Sequence, residues 1–369
     1  MGGGTPSSSN ESFWQGTIPW ISSSDIVEND IKNISISRYI TEEAIAHSAT
    51  KLCPAPSILI VSRVGVGKIA LSKEAICTSQ DFCNLINIKV EPIFLTYCLS
   101  QIMKRKSMEV QGTSIKGITT SEIQKISINI PSLQEQKKIG KILSLLDERI
   151  ATQNKIIDKL QSLIKGLNNH LCQQHGNEIE TSFADLGVSY SGLSGKTAAD
   201  FGSGKPFITY LNVYSNNVID ETSYQYVRMG NNEKQSIVRY GDVLFTLSSE
   251  TPEEVGIGSV YLGNQEVYLN SFCFGIHITN TQESFSPYLS YYISTTQFRK
   301  FIYPFAQGST RFNLCKADFE KASIKLPTLE NQKRIYLILG HIDCKIETER
   351  QLLALYNSQK QYLLRQMFI

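Results

Sequence analysis

The chain carries two copies of one segment, and this internal repeat constrains its fold more than any other feature. Residues 111–150 align without gaps with residues 307–346, at an offset of 196 positions. A repeated segment should form the same supersecondary structure each time it occurs. Weaker matches upstream, such as VGVGKIAL at 64–71 and VGIGSVYL at 255–262, extend the repeat over the whole chain. Identical pairs are Gln111/Gln307, Gly112/Gly308, Lys125/Lys321, Pro131/Pro327, Gln136/Gln332, Lys137/Lys333 and Asp147/Asp343.

A heptad pattern follows each repeated proline, and the proline itself blocks extension of a helix backwards. The first seam is Ile139, Leu143, Leu146, Ile150, Gln153, Ile157, Leu160, Ile164, Leu167 and Leu171. The second is Ile335, Leu339, Ile342, Ile346, Glu349, Leu353, Tyr356, Lys360, Leu363 and Met367. This pattern predicts two long helices that pack on each other as a coiled coil, and a pseudo-twofold relation between the copies requires them to run antiparallel. The alternative is two separate helices, each lying on its own β domain, but such helices usually show a wider apolar stripe.

Short runs rich in Ile, Val, Tyr and Phe, punctuated by Gly, Pro, Asn and Ser, predict strands in the rest of each copy. Examples are SILIVSRV at 57–64 and DVLFTLS at 242–248. We therefore predict an α+β fold: two β-rich domains, separated by two long antiparallel coiled-coil helices and related by a pseudo-twofold repeat. The predicted divisions are domain 1 (1–131), a central helix (132–176), domain 2 (177–327) and a C-terminal helix (328–369).

Composition and motifs exclude several classes of protein. The 369 residues carry a net charge of +2, and the eight cysteines form no CxxC pair, which argues against a disulfide framework or a zinc site. No apolar run reaches about 18 residues and no signal peptide is evident, so we expect a cytoplasmic protein. RVGVGK at 63–68 fails as a phosphate-binding loop, because Ser62 and Ile69 stand where Gly and Ser or Thr are needed. We predict no catalytic residue and no metal site.

The repeated unit resembles a known family. Each copy ends in QGT or QGS, then a short strand, then IPSLQEQKKI or LPTLENQKRI, then a long helix. This arrangement, together with the opening GGGTPSSSNESFWQGTIPWISSSDI at 2–26, is similar to the specificity (S) subunit of type I restriction–modification systems. The resemblance covers essentially the whole chain.

The resemblance implies a protein that is not itself catalytic and binds double-stranded DNA. Each β-rich domain would be a target-recognition domain that reads one half of a bipartite, asymmetric site. The helices would set the gap and dock two modification (M) subunits, with restriction (R) subunits completing the complex. The partners, not this chain, would use S-adenosylmethionine, ATP and Mg. A scaffold that binds only proteins is the alternative, and an enzyme using Cys or His is a third class.

Candidate DNA contacts are Arg, Lys, Asn and Gln for base edges, and Ser and Thr for phosphates. In the first copy they are Ser22, Ser23, Ser24, Arg63, Lys68, Lys104, Arg105, Gln111, Thr113 and Lys116. In the second they are Lys205, Thr209, Tyr210, Asn212, Ser309, Thr310, Arg311 and Asn313. For each of them, solvated surface is the alternative, and Trp20 suits the core as well as a DNA-facing surface.

One departure from the family pattern concerns the first copy. The second copy has NEIETSFADLGVSYSG at 177–192 before its Gly/Ser-rich start, and the first copy has no counterpart. The family usually has a further strand there. We therefore expect domain 1 to be short at its N-terminal side.

Overall fold

The computed structural model describes residues 1–110, 117–175, 178–230 and 232–368. Two compact units are present, the first formed by Met1–Asn154 and Gln351–Ile369, the second by Lys155–Arg350. Both units mix strands with helices, and two helices of 43 and 39 residues contribute one half each to both units. The prediction of a mixed α+β fold with two long helices is confirmed. The compact units divide each long helix near its middle, and the predicted domain divisions stay a prediction.

Unit 1 is built around two described sheets. The four-stranded sheet has the order β2-β1-β6-β3, and the three-stranded sheet the order β5-β4-β7. The strands are β1 (Ile18–Ile21), β2 (Arg38–Ile40), β3 (Leu52–Cys53), β4 (Ser57–Val61), β5 (Ile69–Ser72), β6 (Ile76–Thr78) and β7 (Phe82–Leu85). The helices are α1 (Glu42–Ala46), α2 (Pro92–Val110), α3 (Thr120–Gln124) and the long α4 (Leu133–His175).

Unit 2 repeats this pattern of pairing and adds strands. Its sheets have the orders β11-β10-β15, β14-β12-β16-β9, β13-β18-β17 and β19-β8 within the described residues. The strands are β8 (Ile179–Ser182), β9 (Gly187–Ser191), β10 (Phe201–Ile208), β11 (Gln225–Val227), β12 (Val243–Thr246), β13 (Ser248–Ser249), β14 (Gly258–Val260), β15 (Tyr268–Leu269), β16 (Cys273–Ile278), β17 (Ala306–Gln307), β18 (Phe312–Leu314) and β19 (Ser323–Leu326). The helices are α5 (Phe183–Leu186), α6 (Tyr210–Ser215), α7 (Ser286–Tyr292), α8 (Thr296–Ile302), α9 (Lys316–Lys321) and the long α10 (Leu329–Met367).

The central strand β4 is apolar at nearly every position because it is covered on both faces. Successive side chains of a strand point to opposite faces. Ile58 and Ile60 join a cluster that includes α2, whereas Leu59 and Val61 join a second cluster with β1 and β6. The continuous run SILIV therefore reflects two cores and not a strand that alternates between core and water.

The long helices bury the predicted seam. Every position of both heptad series is buried or half-buried, including the polar Gln153 and Glu349. In unit 1, Leu143 and Leu364 share one apolar cluster, and Lys360 Nζ lies 2.5 Å from Asp147 Oδ1. The later position in α4, Asp147, meets the earlier position in α10, Lys360. The two helix halves of unit 1 are therefore antiparallel.

A buried glutamine anchors the start of each long helix. In unit 1, Gln136 Oε1 accepts from the Glu91 backbone N–H at 2.9 Å, and Nε2 donates to the Pro131 carbonyl at 2.8 Å. In unit 2, Gln332 Oε1 accepts from the Phe285 N–H at 2.8 Å. Its Nε2 donates to the carbonyls of Glu283 and Pro327, at 2.7 and 2.9 Å. Each amide therefore ties its helix to the segment that enters α2 or α7.

A tyrosine–aspartate contact lies further along each helix. The Tyr97 hydroxyl donates to Asp147, and the Tyr291 hydroxyl donates to Asp343. Burial, together with the neighbouring carboxylate, raises the pKa of both phenols well above the ordinary value, so both stay protonated donors at neutral pH. Two identical pairs of the repeat, Gln136/Gln332 and Asp147/Asp343, thus fasten each long helix to its domain.

We expect Gln332→Leu to weaken the entrance of α10, because it leaves one buried N–H and two carbonyls without their partner. The free energy of unfolding should fall by about 2–4 kcal/mol. Hydrogen exchange measured by mass spectrometry should quicken at residues 283–292. Gln136→Leu is the matched control and should quicken exchange near Glu91 instead. An unchanged rate at 283–292 in Gln332→Leu would contradict the anchoring role.

Candidate nucleic-acid interface

In unit 1, a serine turn and a glycine loop meet at the surface. The backbone N–H and the hydroxyl of Ser22 both donate to Asp25 Oδ2, at 2.7 and 3.0 Å, which closes a short turn over Ser23–Asp25. Lys68, from the glycine loop, donates from Nζ to the Ser23 carbonyl at 3.2 Å. Three predicted serines and one predicted lysine therefore come together, and we call residues 22–25 with Lys68 the serine turn.

Arg38 completes the serine turn, although the sequence did not single it out. Its Nη2 donates to Ser22 Oγ at 2.7 Å and also contacts the Asp25 carboxylate. The guanidinium carbon lies 4.6 Å from the centre of the Trp20 ring. Trp20 is itself buried, with its indole N–H donating to the Gly4 carbonyl at 3.0 Å. Trp20 thus packs in the core and supports Arg38 from beneath.

The other basic residues predicted for unit 1 are dispersed. Arg63 is exposed in the glycine loop, where Gly65 and Gly67 adopt φ of +85° and +101°. Lys104 Nζ lies 3.4 Å from Asn29 Oδ1. Arg105 Nη2 donates to the Phe368 carbonyl at 3.5 Å, at the end of α10. The predicted contacts Gln111, Thr113 and Lys116 lie outside the described residues.

In unit 2, two predicted residues converge on Ser248. The Tyr210 hydroxyl donates to the Ser248 carbonyl at 2.8 Å, and Arg311 Nη2 donates to Ser248 Oγ at 3.3 Å. The Arg311 guanidinium also lies 5.8 Å from the centre of the Phe272 ring, which is 56% exposed. We call Tyr210, Ser248, Phe272 and Arg311 the arginine patch. Neither Ser248 nor Phe272 was predicted from the sequence.

The remaining predicted residues of unit 2 fall into two groups. The exposed side chains are Lys205 and Asn313, within strands β10 and β18, and Ser309 and Thr310, on the loop before β18. Thr209 and Asn212 have structural partners: Thr209 Oγ1 accepts from the Asn212 N–H at 3.2 Å and caps α6. Asn212 is only 4% exposed, its Nδ2 donates to the Asp220 carbonyl and its Oδ1 accepts from the Asp220 N–H. Asn212, which was predicted as a DNA contact, therefore has a buried side-chain amide that is already paired within unit 2.

Metal-binding groups and membrane-spanning helices are both absent from the described residues. None of them form a group of three or more His, Cys, Asp or Glu side chains placed to hold a metal ion. Over the same ranges, no helix combines the length and the apolar character needed to cross a bilayer. Both the serine turn with Arg38 and the arginine patch present hydroxyl and guanidinium groups, which suit phosphates and base edges.

Two segments of the chain, residues 1–162 and 196–355, match a family model described as the type I restriction modification DNA specificity domain. The chain belongs to this family.

Several specificity subunits are similar to parts of this family member. The MjaIX specificity subunit of Methanocaldococcus jannaschii is 33% identical over 169 residues, which are 43% of this chain and 38% of that protein. The EcoR124I/EcoR124II specificity subunit of Escherichia coli is 36% identical over 156 residues, which are 40% of this chain and 38% of that protein. The aligned regions thus span less than half of either relative.

A solved structure extends the likeness to nearly the whole fold. A chain from work on complex assembly and conformational transition of the type I R-M system superposes with a TM-score of 0.62 at 18% identity. The superposition covers 96% of this chain and 92% of that chain. At this identity the likeness shows a shared fold, and the specificity-family assignment rests on the sequence match.

We expect Asn212→Ala to lower the stability of unit 2, because the substitution removes a buried amide and leaves the half-buried backbone groups of Asp220 without this partner. The loss should be about 2 kcal/mol in urea unfolding. Asn216 follows the last residue of α6, and Asn216→Ala, which keeps the Asp220 contacts, is the control. Wild-type stability of Asn212→Ala with weakened binding to DNA would instead assign this amide to the interface.

Proposed function

We propose that this chain is the DNA sequence-specificity subunit of a type I restriction–modification complex. The observation that carries the proposal is the twofold match of the specificity-domain model, once within residues 1–162 and once within 196–355. Two specificity domains in one chain suit a site with two different halves. In this proposal the β-rich parts of units 1 and 2 are two target-recognition domains, related by the pseudo-twofold repeat of the sequence.

The serine turn and the arginine patch are the proposed DNA-contacting surfaces. Ser22, Ser23 and Ser24 suit phosphate oxygens, as do Ser309 and Thr310. The cations Arg63, Lys68, Lys205 and Arg311 supply the charge that binding to the backbone requires. Arg311 is the proposed base reader of unit 2, because a planar guanidinium held by Ser248 and Phe272 keeps a fixed direction. Asn313 lies in β18, two residues after Arg311 and opposite Ser248, and its exposed side chain completes the set.

The two surfaces differ, which supports reading of an asymmetric site. The serine turn is hydroxyl-rich and is backed by Arg38 on Trp20, whereas the arginine patch exposes an aromatic ring. The helix anchors, in contrast, use identical residues in both units. Independent recognition of two half-sites requires DNA-contacting surfaces that differ between the units. It also requires that the contacts holding each domain to its helix stay the same.

The long helices are proposed as the spacer between the readers and as the docking surface for two M subunits, with R subunits joining the complex. The chain itself performs no catalysis in this proposal. S-adenosylmethionine, ATP and Mg would be used by the partner subunits. A scaffold that binds only proteins would show no selective, salt-dependent binding to duplex DNA, whereas the specificity subunit should show both.

Exchange of one reader tests the proposal. Residues 177–306 are replaced by the corresponding segment of another family member, and the chain is expressed with the M and R subunits encoded beside it. We expect mapping of adenine methylation across the genome to show one half of the site changed and the other half retained. The chain expressed without partners is the control and should give no methylation. A change in both halves would contradict the two-reader proposal.

A lengthened spacer gives a second prediction. Seven residues, one heptad, are inserted after Gln153 and again after Glu349, close to the points where the compact units divide. One heptad preserves the seam, and the helices should grow by about 10 Å, or roughly three base pairs of DNA. The half-site sequences should persist while the gap widens. Insertion of four residues, which breaks the heptad, is the control, and an unchanged gap with full activity would contradict a spacer role.

A further inference from the structure

One pair of strands has the same surroundings in both units. Strand β1 pairs antiparallel with β2 and parallel with β6, and β10 pairs in the same way with β11 and β15. Strands β2 and β11 are edge strands of their sheets. A short helical turn follows each inner strand, and its N-cap is Ser22 after β1 and Thr209 after β10. We call β1 with β2 the ribbon of unit 1, and β10 with β11 the ribbon of unit 2.

The two ribbons also match residue by residue. In unit 1, Pro19 lies opposite Tyr39, and in unit 2, Pro206 lies opposite Tyr226. The two prolines are 187 positions apart, and so are the two tyrosines. This offset is shorter than that of the long helices, so the strand register is needed to reveal the match. Neither tyrosine was predicted as a DNA contact from the sequence.

Both tyrosines are exposed on ribbons that are otherwise well packed. Tyr39 is 42% exposed and Tyr226 is 49% exposed. The next residues along the strands, Ile40 and Val227, are fully buried. Successive side chains of a strand point to opposite faces. Burial of Ile40 and Val227 therefore fixes the face on which each tyrosine lies, and it is the same face in both units.

In unit 1 the exposed tyrosine adjoins the serine turn. Tyr39 directly follows Arg38 in β2, and Arg38 Nη2 donates to Ser22 Oγ at 2.7 Å. The two side chains point to opposite faces of the strand, but β2 is an edge strand. A ligand that runs along this edge can therefore contact Arg38 and Tyr39 in succession.

In unit 2 the exposed tyrosine adjoins the arginine patch. Strand β10 ends two residues before Tyr210, which belongs to that patch. A cation also accompanies Tyr226, because Arg228 is exposed two residues further along the chain. Its Nε donates to Ser203 Oγ at 3.1 Å, across the ribbon. The ribbon thus extends the patch with a phenol hydroxyl and a guanidinium.

A side chain that is the same in both units cannot supply two different half-site sequences. The serine turn and the arginine patch differ, whereas the Pro–Tyr pair does not. The part of the DNA that both half-sites share is the sugar–phosphate backbone, which carries no sequence information directly. Tyrosine hydroxyls are among the groups that donate hydrogen bonds to phosphate oxygens. The repeated tyrosine therefore suits the backbone and not the bases.

We propose that Tyr39 and Tyr226 are equivalent positioning residues, each donating its hydroxyl to a DNA phosphate of the half-site that its own unit reads. Cross-strand neighbours lie close enough for a ring to pack on its partner, so the rigid proline opposite supports each phenol. The two contacts hold the duplex against the serine turn and the arginine patch. This inference rests on the proposed DNA-binding function.

Removal of each hydroxyl tests the proposal in the full-length chain. Tyr39→Phe and Tyr226→Phe keep the ring, so the midpoint of urea unfolding should not change. The probe is a pool of duplexes of random sequence, about 40 base pairs long, followed by fluorescence anisotropy. Each variant should bind about tenfold more weakly, because a hydrogen bond to a charged phosphate is lost. The slope of affinity against salt should stay the same, since a neutral hydroxyl releases no counterion.

Matched controls remove hydroxyls outside the ribbons. Tyr362→Phe in unit 1 and Tyr240→Phe in unit 2 alter exposed tyrosines and should bind the pool as the unsubstituted chain does. Unchanged affinity of Tyr39→Phe and Tyr226→Phe would overturn the inference and leave both rings a packing role, while the proposed function would stand. Weakening of one variant alone would overturn their equivalence. No binding of the pool by the unsubstituted chain would overturn the proposed function as well.

Methylation mapping gives a second readout, with the M and R subunits expressed beside the chain. Because a phosphate contact carries no sequence information directly, Tyr226→Phe should leave both half-site sequences unchanged and lower the extent of methylation. A changed half-site sequence would overturn the inference, because it would make Tyr226 a reader of bases.

Discussion

A buried glutamine amide at the start of each long helix is the contact on which the rest of each unit depends. Gln136 and Gln332 are 4% and 0% exposed, and each pairs with backbone groups on both sides of the junction. A buried backbone N–H without a partner costs about 1–3 kcal/mol, so few other side chains could serve at this point. The sequence at the start of the long helix therefore occurs twice because both units form the same junction between this helix and the segment that enters α2 or α7.

The second anchor follows from helix geometry. Asp147 lies eleven positions after Gln136, and Asp343 lies eleven after Gln332. Eleven residues are close to three helical turns, so both polar contacts fall on one side of the helix. Between them lie the buried seam residues Leu143 and Leu339. Each helix thus has a glutamine contact at its start, an aspartate contact three turns later and a buried leucine between them. Together these contacts limit both rotation and sliding of the helix against the domain.

The two units cap these long helices with carboxylates from different parts of the chain. In unit 2, Glu178 accepts from the Thr328 N–H at 2.8 Å and from Asn331 Nδ2. In unit 1, Glu135 takes this role locally and accepts from the Ser132 N–H at 3.0 Å and its hydroxyl at 2.7 Å. Hydrogen bonds lower the pKa of both carboxyls, as expected for acids at helix N-termini. The entrance of α4 is therefore capped by a carboxylate of its own first turn.

The sequence by itself determined the repeat, the two long helices and their buried seam. Periodicity in a helix is local, so the spacing of Ile139, Leu143 and Leu146 directly records which face is covered. The sequence also pointed to the serines and the lysine of the serine turn, and to Arg311, as candidate DNA contacts. Only the tertiary structure decided which side chains share a surface: β-pairing places Arg38 over Trp20, and Ser248 meets Arg311 from 63 residues away. It likewise placed Asn212 inside unit 2. Burial of an isolated polar residue, and pairing between distant strands, depend on contacts that no local pattern encodes.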